Sequence, residues 1–353
     1  MLSAVMNGGE EERLELIEMM AQSGAEMPDL MMSWLVEYAK QGNARAIGIY
    51  CYLALSGAIQ NCNWRRLEKW LLAMMDEHPG LASFQLGLLY APGGPALCDM
   101  KKAESYFRKA IELGMDACLV HLAFLYQENA SEEHGPEEIR ELLERALAAG
   151  ANAPAVYETL ADVCDDMGDS KASMVYLKKF HKLDPDNERN CMLIAYNYQF
   201  GNGCKADEKM ALQYYQKAAN LGSGDGLFAV GLAYHEGRGT CRNIKRAMDY
   251  FNRAVEAGNP RGYFYLGMNY IEGNGVRMNP ELGTDFLEKG MQSGDLQCML
   301  SLATCYATGM GVQTDTERAA ELLSQARGLE PYASVPEIQE MIAQVEQSLG
   351  MEP

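Results

Sequence analysis

A short phrase recurs at a fixed spacing between Ala195 and Gly311. In each copy a small residue is followed three positions later by a tyrosine, and two glycines separated by one residue come next. The tyrosines lie 36 residues apart, at Tyr198, Tyr234, Tyr270 and Tyr306. A constant period of this length is typical of stacked helix–turn–helix repeats. The chain is therefore expected to bury its core between successive units instead of inside one closed domain.

Two helices are predicted in every period. The first, helix A, carries the tyrosine phrase, which also occurs as Leu86-Gly87-x-x-Tyr90 and Leu122-Ala123-x-x-Tyr126. The second, helix B, carries a pair of large residues set between two small ones; these pairs are Tyr106-Phe107, Tyr214-Tyr215, Tyr250-Phe251, Phe286-Leu287 and Leu322-Leu323. Small and large residues at spacings of three and four form one apolar face, and the small ones allow a neighbouring helix to approach closely.

Glycines mark the predicted ends of the helices. One set falls where helix B should end with a left-handed residue; it comprises Gly42, Gly114, Gly150, Gly222, Gly258 and Gly294. The paired glycines are expected to take positive φ angles in the turn from A to B; they are Gly201 and Gly203, Gly237 and Gly239, Gly273 and Gly275, and Gly309 and Gly311. Asn279 before Pro280 predicts the N-cap and first turn of a helix B.

The period divides the chain into predicted segments. A capping helix pair is expected in 1–42, a repeat array in 43–331, and a C-terminal capping helix (336–349) with its tail in 332–353. The units of the array lie near 43–79, 80–115, 116–151, 152–187, 188–223, 224–259, 260–295 and 296–331. The predicted fold class is all-α, an α/α solenoid superhelix of about nine helix–turn–helix repeats.

These motifs resemble the Sel-one-like repeat (SLR) family, a relative of the tetratricopeptide repeats. The resemblance is strongest over 188–295, and the unit 152–187, which lacks the paired glycines, is more similar to a plain tetratricopeptide repeat. It implies a solenoid whose A helices line a concave surface and whose members act as adaptors and scaffolds. Because the motif residues are structural, it implies no catalytic residue. Some secreted relatives bridge a cysteine pair in every repeat, a pattern that this chain lacks.

The amino-acid composition restricts the classes of partner that the protein can bind. The net charge of −19 argues against nucleic acid and favours basic partners. No segment approaches the roughly 18 apolar residues that span a bilayer, so membrane insertion is not expected. The first residues do not resemble a secretory signal, so we expect a cytoplasmic location. The ten cysteines contain no Cys-x-x-Cys, so they are interpreted as small buried residues in reduced form.

Catalytic motifs are not evident. The five histidines are scattered over different units, and His235-Glu236 is not followed by the second histidine of a zinc hydrolase. No Gly-x-Ser-x-Gly is present either. We expect a protein that is not an enzyme and uses no cofactor or metal.

A row of apolar residues on the A helices is the first candidate binding surface. By the resemblance, the positions that face the concave surface include Met192, Tyr196, Phe228, Leu232, Phe264, Met268 and Ile271. Such a row suits an amphipathic helix or an extended apolar peptide. The alternative is that recurring apolar residues pack between repeats.

The second candidate is acidic. Between Glu128 and Asp169 there are twelve acids and two arginines, most of which a solvated face explains. Glu158, Asp162 and Asp165 differ because spacings of four and three place them on one face of a helix. Their mutual repulsion would be relieved by a basic ligand or by a metal.

These observations predict a non-enzymatic scaffold or adaptor that binds a peptide or protein segment, basic or amphipathic, on a concave face. Two alternatives stay open: a secreted or envelope adaptor of the SLR type, and a structural protein that associates with itself into a homo-oligomer.

Overall fold

A computed structural model describes residues 9–59, 62–92, 97–128, 134–328, 339–340, 342–343 and 346–347. These residues form α-helices and no strand, which confirms the all-α prediction. The eighteen helices are α1 (Glu10–Ser23), α2 (Asp29–Lys40), α3 (Ala44–Leu55), α4 (Trp64–Ala73), α5 (Pro79–Tyr90), α6 (Met100–Glu112), α7 (Cys118–Glu128), α8 (Pro136–Ala148), α9 (Pro154–Asp166), α10 (Ser170–Leu183), α11 (Glu188–Phe200), α12 (Glu208–Asn220), α13 (Gly224–Glu236), α14 (Ile244–Glu256), α15 (Gly262–Glu272), α16 (Pro280–Gln292), α17 (Leu296–Thr308) and α18 (Thr316–Arg327).

The chain forms two compact units, Met1–Gly168 and Asp169–Pro353. The first contains α1–α9 and the second contains α10–α18. Inside each unit the main neighbours of a helix are the helices before and after it in the chain. This is the packing of an α/α repeat array, as predicted. The division of the sequence into cap, array and cap stays a prediction.

The turn from helix A to helix B is built in the same way in each repeat that carries the tyrosine phrase and its glycines. In α13, Gly237 ends the helix with a φ of +81°. The backbone N–H of Asn243 then donates to the carbonyl of Tyr234 at 2.7 Å, and the Asn243 side chain caps α14 by accepting from the N–H of Arg246 at 3.1 Å. The start of helix B is thus fixed to the last turn of helix A.

The recurring tyrosines stack on helix B. The rings of Tyr234 and Tyr250 lie 5.7 Å apart at an angle of 15°, and Tyr198 stacks on Tyr214 and Tyr270 on Phe286 in the same manner. The second residue of each helix B pair instead enters the core, as Phe251 shows. One residue of each pair therefore joins helix A and the other fills the interior.

Small residues on helix A make room for that interior residue. A Cβ added at Gly231 would lie 2.6 Å from the ring of Phe251, and one at Gly267 would lie 2.8 Å from Leu287. Such contacts are closer than van der Waals packing permits. This confirms that the small positions allow close approach of the two helices.

The glycine predictions at the helix ends are also confirmed. All six glycines expected to end B helices and all eight paired glycines have positive φ angles. Six of the ten cysteines are buried, and all ten have free thiols. Within the described ranges no helix combines the length and the apolarity that crossing a membrane requires.

Most of the predicted C-terminal capping helix lies outside the described residues. Of its described residues, Ile342 is buried in the core formed with α17 and α18. Glu346 forms an ion pair with Arg327, with 2.6 Å between the carboxylate oxygen and the guanidinium nitrogen. These two residues attach to the last repeat of the second unit.

The paired glycines allow a test of the turn. A Cβ at Gly239 would overlap the backbone carbonyl of Glu208 in the preceding repeat, whereas one at Gly294 meets nothing within 4 Å. Both glycines have positive φ angles. We expect Gly294→Ala to cost about 1–2 kcal/mol of unfolding free energy through backbone strain, and Gly239→Ala to cost a further ~1–3 kcal/mol through overlap. Chemical denaturation measures both; equal losses would mean that the turns do not set the spacing of repeats.

Candidate functional site

A cleft of about 350 Å³ opens in the second unit between α11, α12 and α13. Its floor is apolar, and charged or amide side chains stand at its ends. The lining consists of Met192, Gln199, Glu208, Ala211, Leu212, Tyr215, Asp225, Phe228, Ala229, Leu232, Ala233, Arg238 and Arg261.

The 36-residue repeat explains why these residues come together in the cleft. Met192 on α11 and Phe228 on α13 are 36 residues apart, so they occupy the same position on successive A helices. Leu232 lies one turn after Phe228 on the same face. Leu212 and Tyr215 of α12 complete the floor. The cleft is therefore the place where two neighbouring A helices and the B helix between them meet.

Phe228 forms part of the floor and also packs against aromatic rings of α14 and α15. Its ring lies 5.8 Å from that of Phe251 and 5.7 Å from that of Tyr265, and little of its surface is exposed. Phe228 thus lines the cleft and also packs between repeats. Packing between repeats is therefore observed for Phe228, and its role in binding a partner stays a prediction.

A buried hydroxyl marks one end of the cleft. Tyr215 donates to Oε1 of Gln199 at 2.7 Å. Burial raises the pKa of Tyr215 to about 12, although the nearby charge of Arg238 acts in the opposite direction. The hydroxyl therefore remains a protonated donor at neutral pH. It fixes the Gln199 oxygen, which leaves the amide nitrogen of that side chain as a further donor.

Charges at the same end are held by the turn after α13. Arg238 pairs with Glu236, and the carboxylate of Glu208 accepts from the backbone N–H of Gly239 at 3.1 Å. Both acidic groups are largely exposed. Solvent screening keeps such pairs weak, so an incoming charged group can replace them at low cost.

A second polar cluster stands at the opposite end, where α13 begins. Asp225 accepts from Arg261 at 2.6 Å and from Nδ2 of Asn259 at 2.8 Å. The guanidinium of Arg261 lies 4.5 Å from the centre of the Phe228 ring. The cation therefore covers the edge of the apolar floor while its side chain remains more than half exposed.

The structure brings together Met192, Phe228 and Leu232 of the apolar row predicted from the sequence. Tyr196 follows Met192 by one turn and is 50% exposed. It lies against Phe200, which is 57% exposed, with ring centres 4.5 Å apart. This aromatic pair stands on the same helix as Met192 and Gln199. It extends the apolar surface along α11.

The rest of the row is used for packing. Phe264 and Met268 are half-buried against the core of the last repeats. Ile271 is 5% exposed and belongs to that core. A Cβ at Gly283 would lie 2.6 Å from Ile271, which shows how closely α16 covers the last turn of α15. Ile271 is thus a core residue and is not available to a partner.

The acidic residues lie in the first unit, on α9. Glu158 and Asp162 are half-buried and Asp165 is exposed. Each of the three takes part in an interaction within the protein. In the described part of the chain, no group of three or more His, Cys, Asp or Glu side chains is arranged to hold a metal ion.

Sequence reasoning did not single out Gln199, Tyr215, Arg238 or Arg261. Tyr215 carried a usable signal, because the corresponding positions hold Phe107, Phe251, Leu287 and Leu323. A hydroxyl in a position that is otherwise apolar needs a partner. The two arginines carried no such signal, since they reach the cleft from turns.

Comparison with known proteins gives the family. The Sel1 repeat matches residues 80–115, 191–223, 224–259, 260–295 and 296–327, and a tetratricopeptide repeat matches 154–187. The cleft thus lies in the first two Sel1 repeats of the second unit, with Arg261 from the third. Among curated proteins, no relative matches.

Two solved structures resemble the whole chain. The Sel1 repeat protein of Oxalobacter formigenes has a TM-score of 0.63 at 20% identity and covers 96% of this chain and 94% of its own. A protective antigen of uropathogenic Escherichia coli with an SLR fold has a TM-score of 0.62 at 19% identity and covers 99% and 82%. At these identities the likeness concerns the fold. With its repeated motifs, its helix pairs and these matches, the chain belongs to the Sel1-like repeat family and includes one tetratricopeptide repeat.

Proposed function

We propose that this protein is a scaffold that binds a peptide segment of a partner protein in the cleft between α11, α12 and α13. Sel1-like repeat proteins are generally non-enzymatic interaction scaffolds. The observation that carries the proposal is the cleft itself, in which apolar residues from successive repeats form a floor between two polar ends.

The dimensions of the cleft suit side chains of a peptide. Ligand pockets span about 300–1,000 Å³, and this cleft lies at the lower end of that range. One or two apolar anchor residues of a partner would fill it, as buried anchors do at protein interfaces. The exposed Tyr196 and Phe200 would then contact the next turn of the partner. An amphipathic helix presents residues at this spacing.

The polar ends would set the orientation of the partner. Glu208 and Arg238 stand at one end, and Asp225 and Arg261 stand at the other. Each end therefore offers both a cation and a carboxylate. A partner with charged residues on both sides of an apolar anchor could exchange ion pairs with both ends.

Filling the cleft should abolish peptide binding. Ala229 lines the cleft and is half-buried, so Ala229→Trp would occupy the space meant for an anchor residue. Peptides selected from a random displayed library against the wild-type protein serve as probes, and fluorescence anisotropy measures their affinity. We expect Ala229→Trp to weaken binding by about tenfold or more.

The matched control is Val175→Trp, which adds the same ring at an exposed position of α10 outside the cleft. It should bind the selected peptides as the wild type does, and circular dichroism confirms that both variants are folded. If Ala229→Trp binds every selected peptide with unchanged affinity, the cleft is not the binding site. Light scattering on the same samples detects a homo-oligomer, in which case a second copy would be the partner.

We also propose that the acidic face of α9 contacts a basic group of a partner. The spacing of Glu158, Asp162 and Asp165 on one helix face supports this. The triple variant Glu158→Gln, Asp162→Asn, Asp165→Asn should weaken binding of an oligolysine peptide and flatten its salt dependence. Isothermal titration calorimetry at several salt concentrations measures both effects.

Its control neutralises three exposed acids of α8, Glu137, Glu141 and Glu144. This control removes the same charge from the same unit without changing the α9 face. If both triple variants weaken binding of the oligolysine peptide equally, only the general negative charge of the protein attracts the peptide. The α9 face would then not be a specific binding site.

A cytoplasmic location is a further proposal, supported by the free thiols of all ten cysteines. Thiols persist in reducing compartments, whereas envelope and secreted proteins form disulfides. Titration of the denatured protein, isolated from its source without reductant, should therefore find ten free thiols. Fewer thiols would favour the secreted or envelope adaptor.

A further inference from the structure

A histidine and a lysine meet where α10 borders the first Sel1 repeat of the second unit. Nε2 of His181, in the last turn of α10, lies 2.9 Å from Nζ of Lys217, in the last turn of α12. The two residues are 36 positions apart but are not equivalent, because the N-caps of α10 and α12, Asp169 and Asp207, lie 38 residues apart and Lys179 therefore corresponds to Lys217. The imidazole of His181 and the ammonium group of Lys217 are in direct contact across α11.

Six of the B helices carry a permanent cation ten residues after the N-cap, whereas His181 lies twelve residues after its own N-cap. These cations are Lys109, Arg145, Lys179, Lys217, Arg253 and Lys289. Cations near a helix C-terminus interact favourably with the helix dipole. Two permanent cations would repel each other at 2.9 Å. A neutral imidazole avoids this repulsion, because its unprotonated nitrogen accepts a hydrogen bond from the ammonium group.

The groups around His181 favour its neutral form. Burial lowers the pKa of His181, and so does the charge of Lys217 on α12, whereas Asp184 and Asp186 after α10 act in the opposite direction. From α11, the buried Sγ of Cys191 lies 3.9 Å from Nδ1 of His181. The net effect is a pKa below the ordinary value of 6.5.

Aromatic rings complete the surroundings of this pair. The ring of Tyr214 lies 5.3 Å from that of His181, and Nζ of Lys217 lies 4.7 Å from the centre of the Tyr214 ring. Lys289 lies in the same way over Phe286 two repeats later, at 5.4 Å. The lysine position is therefore the same in both repeats, and the histidine partner is what distinguishes the first.

We infer that the His181–Lys217 contact is a pH-sensitive joint between α10 and α12. Neutral His181 accepts the hydrogen bond and the joint is closed. Protonation removes the accepting lone pair and places an imidazolium beside the ammonium, which opens the joint. Other residues of α11 and α12 line the cleft, but this inference does not depend on what the cleft binds.

The direction of the pH effect follows from the depressed pKa. The folded protein holds the proton of His181 less tightly than the unfolded chain does. The contribution to stability is therefore complete above pH 6.5, the ordinary value, and is lost as the pH falls through the pKa of the folded state. Acidification thus weakens the attachment of α10 to the repeats that follow.

NMR titration of the histidine ring protons in the full chain tests the joint directly. The signal of His181 is assigned by its absence in His181→Gln. We expect its midpoint to lie below the ordinary histidine value in the wild type and to move upward in Lys217→Met. Lys289→Met is the matched control and should leave the midpoint unchanged. An unchanged midpoint in Lys217→Met would overturn the inference.

Thermal unfolding as a function of pH gives a second readout. Gln at position 181 can still accept from Lys217 but takes up no proton. His181→Gln should therefore lose part of the fall in unfolding temperature between neutral and mildly acidic pH. His121, whose pKa burial lowers, titrates in the wild type and the variant alike, so the difference between the two profiles reports His181. Identical profiles would show that the contact has no role in acid sensitivity.

Discussion

The structure depends on the connection between the last turn of helix A and the first residue of helix B. In the repeat of α13 and α14, the Asn243 N–H donates to the carbonyl of Tyr234 while the Tyr234 ring stacks on Tyr250. Tyr234 thus contacts helix B twice: its backbone carbonyl binds the N-cap residue, and its ring packs on the helix. Since this connection recurs, the repeats that carry the tyrosine phrase and its glycines share one turn geometry, and they differ in the residues around it.

The cleft shows how such variation shapes a candidate site. Phe228 is buried against Phe251 and Tyr265 and still forms the floor of the cleft. A residue that packs between repeats therefore also shapes a candidate binding surface, because neighbouring A helices leave a gap above the B helix between them. The hydroxyl of Tyr215 adds polarity where other repeats hold only carbon. Small departures from the repeated pattern are enough to specialise one position of the array.

Basic side chains of neighbouring B helices can also lie close together. Nζ of Lys217 on α12 is 2.9 Å from Nε2 of His181 on α10. Two permanent cations at this distance would repel each other, and a neutral His181 avoids that repulsion. The protonation of one side chain is in this way linked to the packing of the next repeat.

The sequence by itself determined the all-α fold, the 36-residue period, the glycine turns and the small positions on the A helices, because backbone conformation and close packing restrict these positions to few residue types. It also predicted that Met192, Phe228 and Leu232 share one face, because Met192 and Phe228 are one 36-residue period apart and Leu232 follows Phe228 by one helical turn. The burial of Ile271 under α16 and the approach of Arg238 and Arg261 to the cleft were decided by the tertiary structure. Helical spacing tells which face a residue occupies, but only the packing of neighbouring helices and turns decides whether that face is covered.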